Sequence, residues 1–453
     1  MNRRLLAISL AILGTLLVAP SPSGAVTCGG KVVNGYCLVP GAQLANANLT
    51  GADLSAVDLT GAKLTGATLT GAKLAGTKLK AATLGGVTTG GITGTPASLP
   101  IGWRLAAGHL LGAGSKLVNA NLTAVDLTGI NLSNATLTGA NLTNTVLTGA
   151  NLTGARLTGA NLMGTRLFGA TLTGVISGGA TGFPFSMATG WQLIAGHLIG
   201  AGANLTNADL TGAALWGVTL TGAKLGGAKL AGATLTGARS GGITGVPASM
   251  PTGWKLRSGY LIGAGANLTD ADLTGVDLSN LNLLNATLTG TKLAGATLTG
   301  VSSGGVFGTP ASLPTGWKLR SGFLLGPGAK LNGAALGSAD LSNCDLTGAK
   351  LTGATLTGAN LSGARLSGAS VTGVVSGGVT GVPTSLPLGW RLRSGYLVGP
   401  GVTLTGVDLS GVDLSSVNLT GAHLSGATLT GVQLAGATLT GVTSGGITGT
   451  PVR

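Results

Sequence analysis

The chain has 453 residues, of which 85 are Gly, 3% aromatic and 8% charged, with a formal net charge of +14. Globular domains usually carry about a quarter charged residues, and a chain this poor in large side chains does not fill a conventional layered core. A repeated core of small residues is the alternative.

Residues 1–25 read as a secretory signal with an N-terminal signal helix. Arg3 and Arg4 form the charged start, Leu5 to Ala19 the apolar run, and Ser23-Gly24-Ala25 the small-residue cleavage site. Fifteen apolar residues are short for a bilayer span. The mature chain is therefore expected to start near Val26, outside the cytoplasmic membrane (cell envelope or exterior), with no integral membrane segment. Losing Arg3 and Arg4 lowers the charge from +14 to +12; all eleven acids are Asp. Residues 26–43 form a partial connector or cap, and Cys28 and Cys37 within it are a candidate disulfide of an exported chain.

From Leu44 a five-residue period begins, as in Ala47-Asn48-Leu49-Thr50-Gly51 followed by Ala52-Asp53-Leu54-Ser55-Ala56. Taking Leu as the centre, 52 units fall into six blocks at 44–86, 115–174, 203–237, 266–300, 329–373 and 402–441; every centre is Leu except Val371. Alternation puts Ala and Leu on one side of a short extended segment and the polar residue between them on the other. The Ser/Thr-Gly pair suits a turn. One short strand and one corner every five residues winds a coil round a narrow axis, and each unit buries its Leu only by stacking on its neighbours.

These units resemble the pentapeptide-repeat family, whose motif is A-(D/N)-L-X-X. The resemblance implies an all-β fold, a right-handed quadrilateral β-helix with four units per coil. Ten of the eleven Asp (all but Asp270) sit in the outward slot before a centre, and four units per coil stacks each on the residue twenty further on. The resulting pairs Asp53–Lys73, Asp58–Lys78, Asp209–Lys229, Asp272–Lys292 and Asp345–Arg365 give five basic partners in ten.

Between blocks lie connectors at 87–114, 175–202, 238–265, 301–328 and 374–401, with a truncated one at 442–453. The distance from the last centre of one block to the first of the next is always 33 residues. Each connector opens with loop-forming Gly and Pro and carries one Trp: Trp103, Trp191, Trp254, Trp317 and Trp390, at spacings of 88, 63, 63 and 73. The spacings differ by whole pentapeptides, which predicts a joint of set geometry rather than a flexible linker. Trp254-Lys255-Leu256 and Tyr260-Leu261-Ile262 are expected to pair as a hairpin, and Val306, Leu313, Leu319 and Leu324 to point inward. The regular units alone predict a rod of roughly 60 Å. The Trp residues pack on a coil or, with Arg104, Lys255, Lys318 and Arg391 beside four of them, form an aromatic and cationic interaction surface.

No catalytic, cofactor or metal site is indicated. His109 and His197 take the connector place held elsewhere by Tyr260, Phe323 and Tyr396; His423 is in an outward slot, and Cys344 in an inward one. Thr-Leu-Thr triplets do not recur twenty residues apart, which argues against an ice-binding array. The expectation is a secreted, non-enzymatic structural or interaction rod with no small-molecule substrate. Its partner would be a protein or an anionic surface polymer, and its oligomeric state is left open. Binding of a wall polymer or nucleic acid is the alternative. DNA mimicry protecting a topoisomerase, which the resemblance also implies, sits badly with a basic, exported chain.

Overall fold

The computed structural model describes residues 28–452; the signal segment and the start near Val26 lie outside the described residues. In most units the Ala and Leu slots are buried and the residue between them faces out, as at Ala47, Asn48 and Leu49. The Ala52 N–H donates to the Leu49 carbonyl at 3.1 Å, closing a turn whose third residue, Gly51, has φ +66°. That left-handed conformation is cheap for Gly and rare for other residues.

Within the blocks, parallel bridges join outward residues to those twenty further on, for example Asp53↔Lys73 and Thr136↔Arg156. Four pentapeptides therefore complete one coil. The Leu54 N–H donates to the Lys73 carbonyl and the Lys73 N–H to the Ala52 carbonyl, both at 2.9 Å. Neighbouring coils thus satisfy each other's backbone as strands in a sheet do, around a core of stacked Leu and Ala. The described residues contain no helix.

The strands proper make six antiparallel hairpins: β1 (Lys31–Val33) with β2 (Tyr36–Leu38), β3 (Arg104–Ala106) with β4 (His109–Leu111), β5 (Gln192–Ile194) with β6 (His197–Ile199), β7 (Lys255–Arg257) with β8 (Tyr260–Ile262), β9 (Lys318–Arg320) with β10 (Phe323–Leu325), and β11 (Arg391–Arg393) with β12 (Tyr396–Val398). Arg257 pairs with Tyr260, so the strand expected at 254–256 is shifted by one and Trp254 stands outside it. The reason is the turn. Ser258 and Gly259 have φ +46° and +78°, and a two-residue turn with both φ positive matches the twist of paired strands.

The ladder does not stop where the Leu centres do. Thr88, Thr93 and Ser98 stack on Thr68, Lys73 and Lys78, so most of the first connector is ordinary coil. The ladder then crosses each joint by one bridge 28 residues long: Thr88↔Lys116, Ile176↔Asn204, Arg239↔Asn267, Ser302↔Lys330 and Val375↔Thr403. A joint is thus one coil with eight extra residues, which form the hairpin.

The hairpin crosses the interior of the coil. Consecutive strand residues point to opposite sides: Leu110 joins the core of the coils before it and Leu111 that of the coils after. The same division falls between Leu198 and Ile199 and between Leu324 and Leu325. Val306 and Leu324 are buried as expected, whereas Leu313 and Leu319 are only half-buried. Counting a continuous ladder at about 4.8 Å per rung gives a rod roughly 90 Å long.

Each added pentapeptide moves the next hairpin by one face. Following the ladder, Trp103 and Trp191 enter above the face that begins at Gln43, Trp254 and Trp390 above that of Asp58, and Trp317 above that of Asp53. No hairpin enters above the face of Asn48 among the described residues.

Candidate functional site

The largest departures from the repeat among the described residues are the joints, and each is built alike. Five residues after the last centre of a block, a buried hydroxyl takes the inward slot that Leu holds elsewhere. The N–H of Leu110, Leu198, Leu261, Leu324 and Leu397 donates to the hydroxyl of Thr89, Ser177, Ser240, Ser303 and Ser376 at 2.7–3.2 Å. Sequence reasoning missed these residues, reading Ser-Gly-Gly as loop chemistry. The available signal was a hydroxyl in the centre slot at the same place in five connectors. Replacing Ser240 by Ala leaves a buried N–H unpaired and should cost about 1–3 kcal/mol, whereas Ser240→Thr, the arrangement found at Thr89, should retain most of the stability. Urea denaturation of the three proteins compares them; an alanine variant as stable as the parent would remove this role.

The next residue is Gly because a ring lies on it. A Cβ on Gly90 or Gly241 would stand 3.4 Å from His109 Cε1 or 3.0 Å from Tyr260 Cε1. The Trp residues likewise lie on Gly112, Gly200, Gly263, Gly326 and Gly399, where a Cβ would fall inside the indole. Trp254 is buried and the other four half-buried.

The cations beside them do not stack on them. Arg104 Nη2 donates to the Thr128 carbonyl at 3.1 Å and Lys318 Nζ to the Ser342 carbonyl at 2.9 Å, tying the hairpin to the following coil. Lys255 and Arg391 hold the same strand position and are exposed. The cation–π contact found among the described residues is elsewhere, Arg166 over Phe185 at 4.8 Å. The Trp and cation pairs lie over three faces of the coil. Three of the five joints also present an apolar residue before a Pro: Phe183, Val246 and Val382 are strongly exposed, while Thr95 and Thr309 hold that place at the other two.

The outward Asp residues are local braces. Asp58 Oδ1 accepts from the Thr60 N–H at 2.9 Å and Asp413 Oδ1 from the Ser415 N–H at 2.9 Å. Hydrogen bonds from the hydroxyl and amide two residues on hold these carboxyls below their ordinary 3.8. The stacked ion pairs form at Asp58–Lys78 (3.5 Å), Asp209–Lys229 (3.5 Å), Asp272–Lys292 (3.8 Å) and Asp345–Arg365 (3.0 Å). Asp53 pairs instead with Lys31 at 3.8 Å, because that ammonium is already bonded to the Asp53 carbonyl at 2.6 Å. Exposed pairs of this kind are worth only about 0–1 kcal/mol.

His109 and His197 are pushed below 6.5 by burial, and each leaves Nδ1 buried without a partner. The signs agree. A His with a lowered pKa costs stability as pH falls below 6.5, and a carboxyl with a lowered pKa costs stability as pH falls below 3.8. The melting temperature should therefore fall in two stages on acidification. His109→Phe with His197→Phe, which places at both joints the ring that Phe323 supplies at another, should remove the upper stage only. A flat profile from pH 7 to 4.5 in the parent would contradict this.

Cys28 and Cys37 are joined by a disulfide, and Cys344 is a buried thiol whose pKa burial raises. No cluster of His, Cys, Asp or Glu that could hold a metal ion occurs among the described residues, nor any helix long and apolar enough to cross a membrane. A cavity of about 600 Å³ lies at the C-terminal end of the rod, lined by Leu424, Leu429, Leu434, Leu439, Val442 and Ile447.

A family model described as pentapeptide repeats matches in eight copies over residues 41–86, 115–154, 145–176, 201–238, 266–302, 328–374 and 403–443, more than half of the chain. No curated protein matches it in sequence. Among solved structures, HetL of the cyanobacterium Nostoc sp. strain PCC 7120, a pentapeptide repeat protein involved in heterocyst differentiation regulation, is 20% identical with a TM-score of 0.14, covering 88% of each chain. Full-length QnrB1, a plasmid-mediated fluoroquinolone resistance protein, is 17% identical with a TM-score of 0.14, covering 57% of this chain and 91% of its own.

Proposed function

This chain belongs to the pentapeptide-repeat family, and from that premise we propose that it is an exported, non-catalytic rod, right-handed in its winding, that holds interaction surfaces at set intervals and angles. The observation that carries the reading is the joint. The hairpin is locked into the core by the same hydroxyl, ring and Trp contacts five times, while block length sets which face it enters above. Export is supported by the signal pattern at Met1–Ala25 and by a disulfide nine residues in span. The target is a protein that recognises the exposed apolar residues at the joints.

A second reading has its own support. The Asp carboxyls are engaged by neighbouring hydroxyls and amides, while Lys330 and Lys350 stack directly on one another, an uncompensated cationic step. An anionic wall polymer or nucleic acid would relieve that repulsion. DNA mimicry has no comparable support, since mimicry needs runs of negative charge and four outward Asp here face a stacked base.

Fractionation with N-terminal sequencing and pull-down from the native envelope tests the proposal. The expected result is a chain starting near Val26 outside the cytoplasmic membrane, with a protein retained at high salt. A chain still starting at Met1 in the cytosol overturns export. Retention on an anionic matrix that fails as salt rises would instead favour the polymer reading.

A further inference from the structure

The two ends of the described rod carry the two halves of one joint. The β1–β2 hairpin copies an internal one: Lys31, Tyr36 and Leu38 hold the places of Lys255, Tyr260 and Ile262, and Asn34-Gly35 turns with both φ positive, as Ser258-Gly259 does. Leu38 is buried against the first coil just as Ile262 is buried against the coil that follows it. The opposite side of the hairpin presents Val32 and Cys37, in the places of Leu256 and Leu261. Val32 is 59% exposed.

At the other end, Leu439, Ser444, Gly445 and Ile447 hold the slots of Leu235, Ser240, Gly241 and Ile243. Inside the rod a hairpin covers these slots, and Leu235 is 1% and Ile243 6% exposed. At the end Leu439 is 44% and Ile447 40% exposed, around the 600 Å³ cavity. A Cβ on Gly445 would meet nothing within 4 Å, where one on Gly241 would meet the Tyr260 ring.

We propose that the N-terminal hairpin of one copy of this chain seats in the open C-terminal coil of a second copy, rebuilding the joint between molecules. The Cys37 N–H then donates to the Ser444 hydroxyl of the second copy, the Tyr36 ring lies on its Gly445, and Val32 covers its Ile447. A second copy is the occupant because five internal joints join this hairpin pattern to this receiving pattern. The disulfide from Cys28 to Cys37 takes over the bracing of β1, where the Trp contact is reversed: Gly30 stands in the place of Trp254 and packs against Val39 in the place of Gly263. Each copy carries one half of each kind, so the contact is head to tail and does not close, and it extends the rod along its own axis.

Sedimentation of the purified, oxidised protein over a range of concentrations tests it, alongside Val32→Lys and Ile447→Lys, both at exposed positions, with circular dichroism to show that each variant folds. The parent should grow through whole multiples of the chain mass, and more at high salt, because screening weakens repulsion between basic copies. Each variant alone should stay monomeric. Mixed, they should form a dimer and nothing larger, since only one intact half of each kind remains. A parent that is monomeric throughout overturns the proposal. So does a dimer lost in Ile447→Lys but kept in Val32→Lys, which would place two C-terminal ends together.

Discussion

Replacing Gly263 by Ala should destabilise the third joint by about 1–3 kcal/mol, the usual cost of forcing a methyl into a packed site. The added Cβ would fall inside the Trp254 indole, and the ring has no free direction, since it is buried between the hairpin and the coils around it. Trp254→Ala should cost more, about 3–5 kcal/mol, by emptying that site. The double variant should cost clearly less than the two added together, because without the indole the new methyl meets no obstacle. Urea denaturation of the four proteins reads this directly. Additive losses would mean that Trp254 and Gly263 act independently and that the joint is not locked by their contact.

The second large effect concerns length. Removing residues 219–223, one whole pentapeptide, should leave the melting temperature within a few degrees of the parent, while removing Gly222 alone should unfold the coils between Leu205 and Leu235. The pentapeptide deletion restores the alternation of inward Ala and Leu and merely moves the β7–β8 hairpin by one face. The single deletion removes a turn residue at φ +69° and shifts the following segment by one, which turns its inward side chains outward. Each misplaced Leu forfeits roughly 1.5–3 kcal/mol of burial, and the ladder bonds to the coils on both sides go with it. Hydrogen exchange and limited proteolysis of the two variants distinguish them. Equal protection in both would show that the coil tolerates a bulge and that whole-unit spacing has another cause.

Much of this architecture was legible because its rules are local. A period of five with Ala, polar, Leu, Thr and Gly states which side chain goes in, which goes out and where the chain turns, and repetition makes stacking the one way to bury each Leu. Even the coil size left a trace, since stacked Asp and basic residues twenty apart are surface neighbours whose chemistry the sequence records. The constant connector length likewise pointed to a rigid joint, and the eight extra residues account for it.

What only the tertiary structure decided is what the connectors do. That Ser240 points inward to hold the Leu261 N–H, that Tyr260 lies on Gly241, and that the hairpin crosses the interior instead of hanging from a corner are contacts between residues about twenty apart on successive coils. No local pattern distinguishes such a Ser from a loop Ser, because its direction is set by the unit beneath it. The face above which each hairpin enters is decided in the same way. It depends on the running count of pentapeptides taken in fours, plus eight residues at every joint, and that count acquires a direction in space only once the chain has closed its coils.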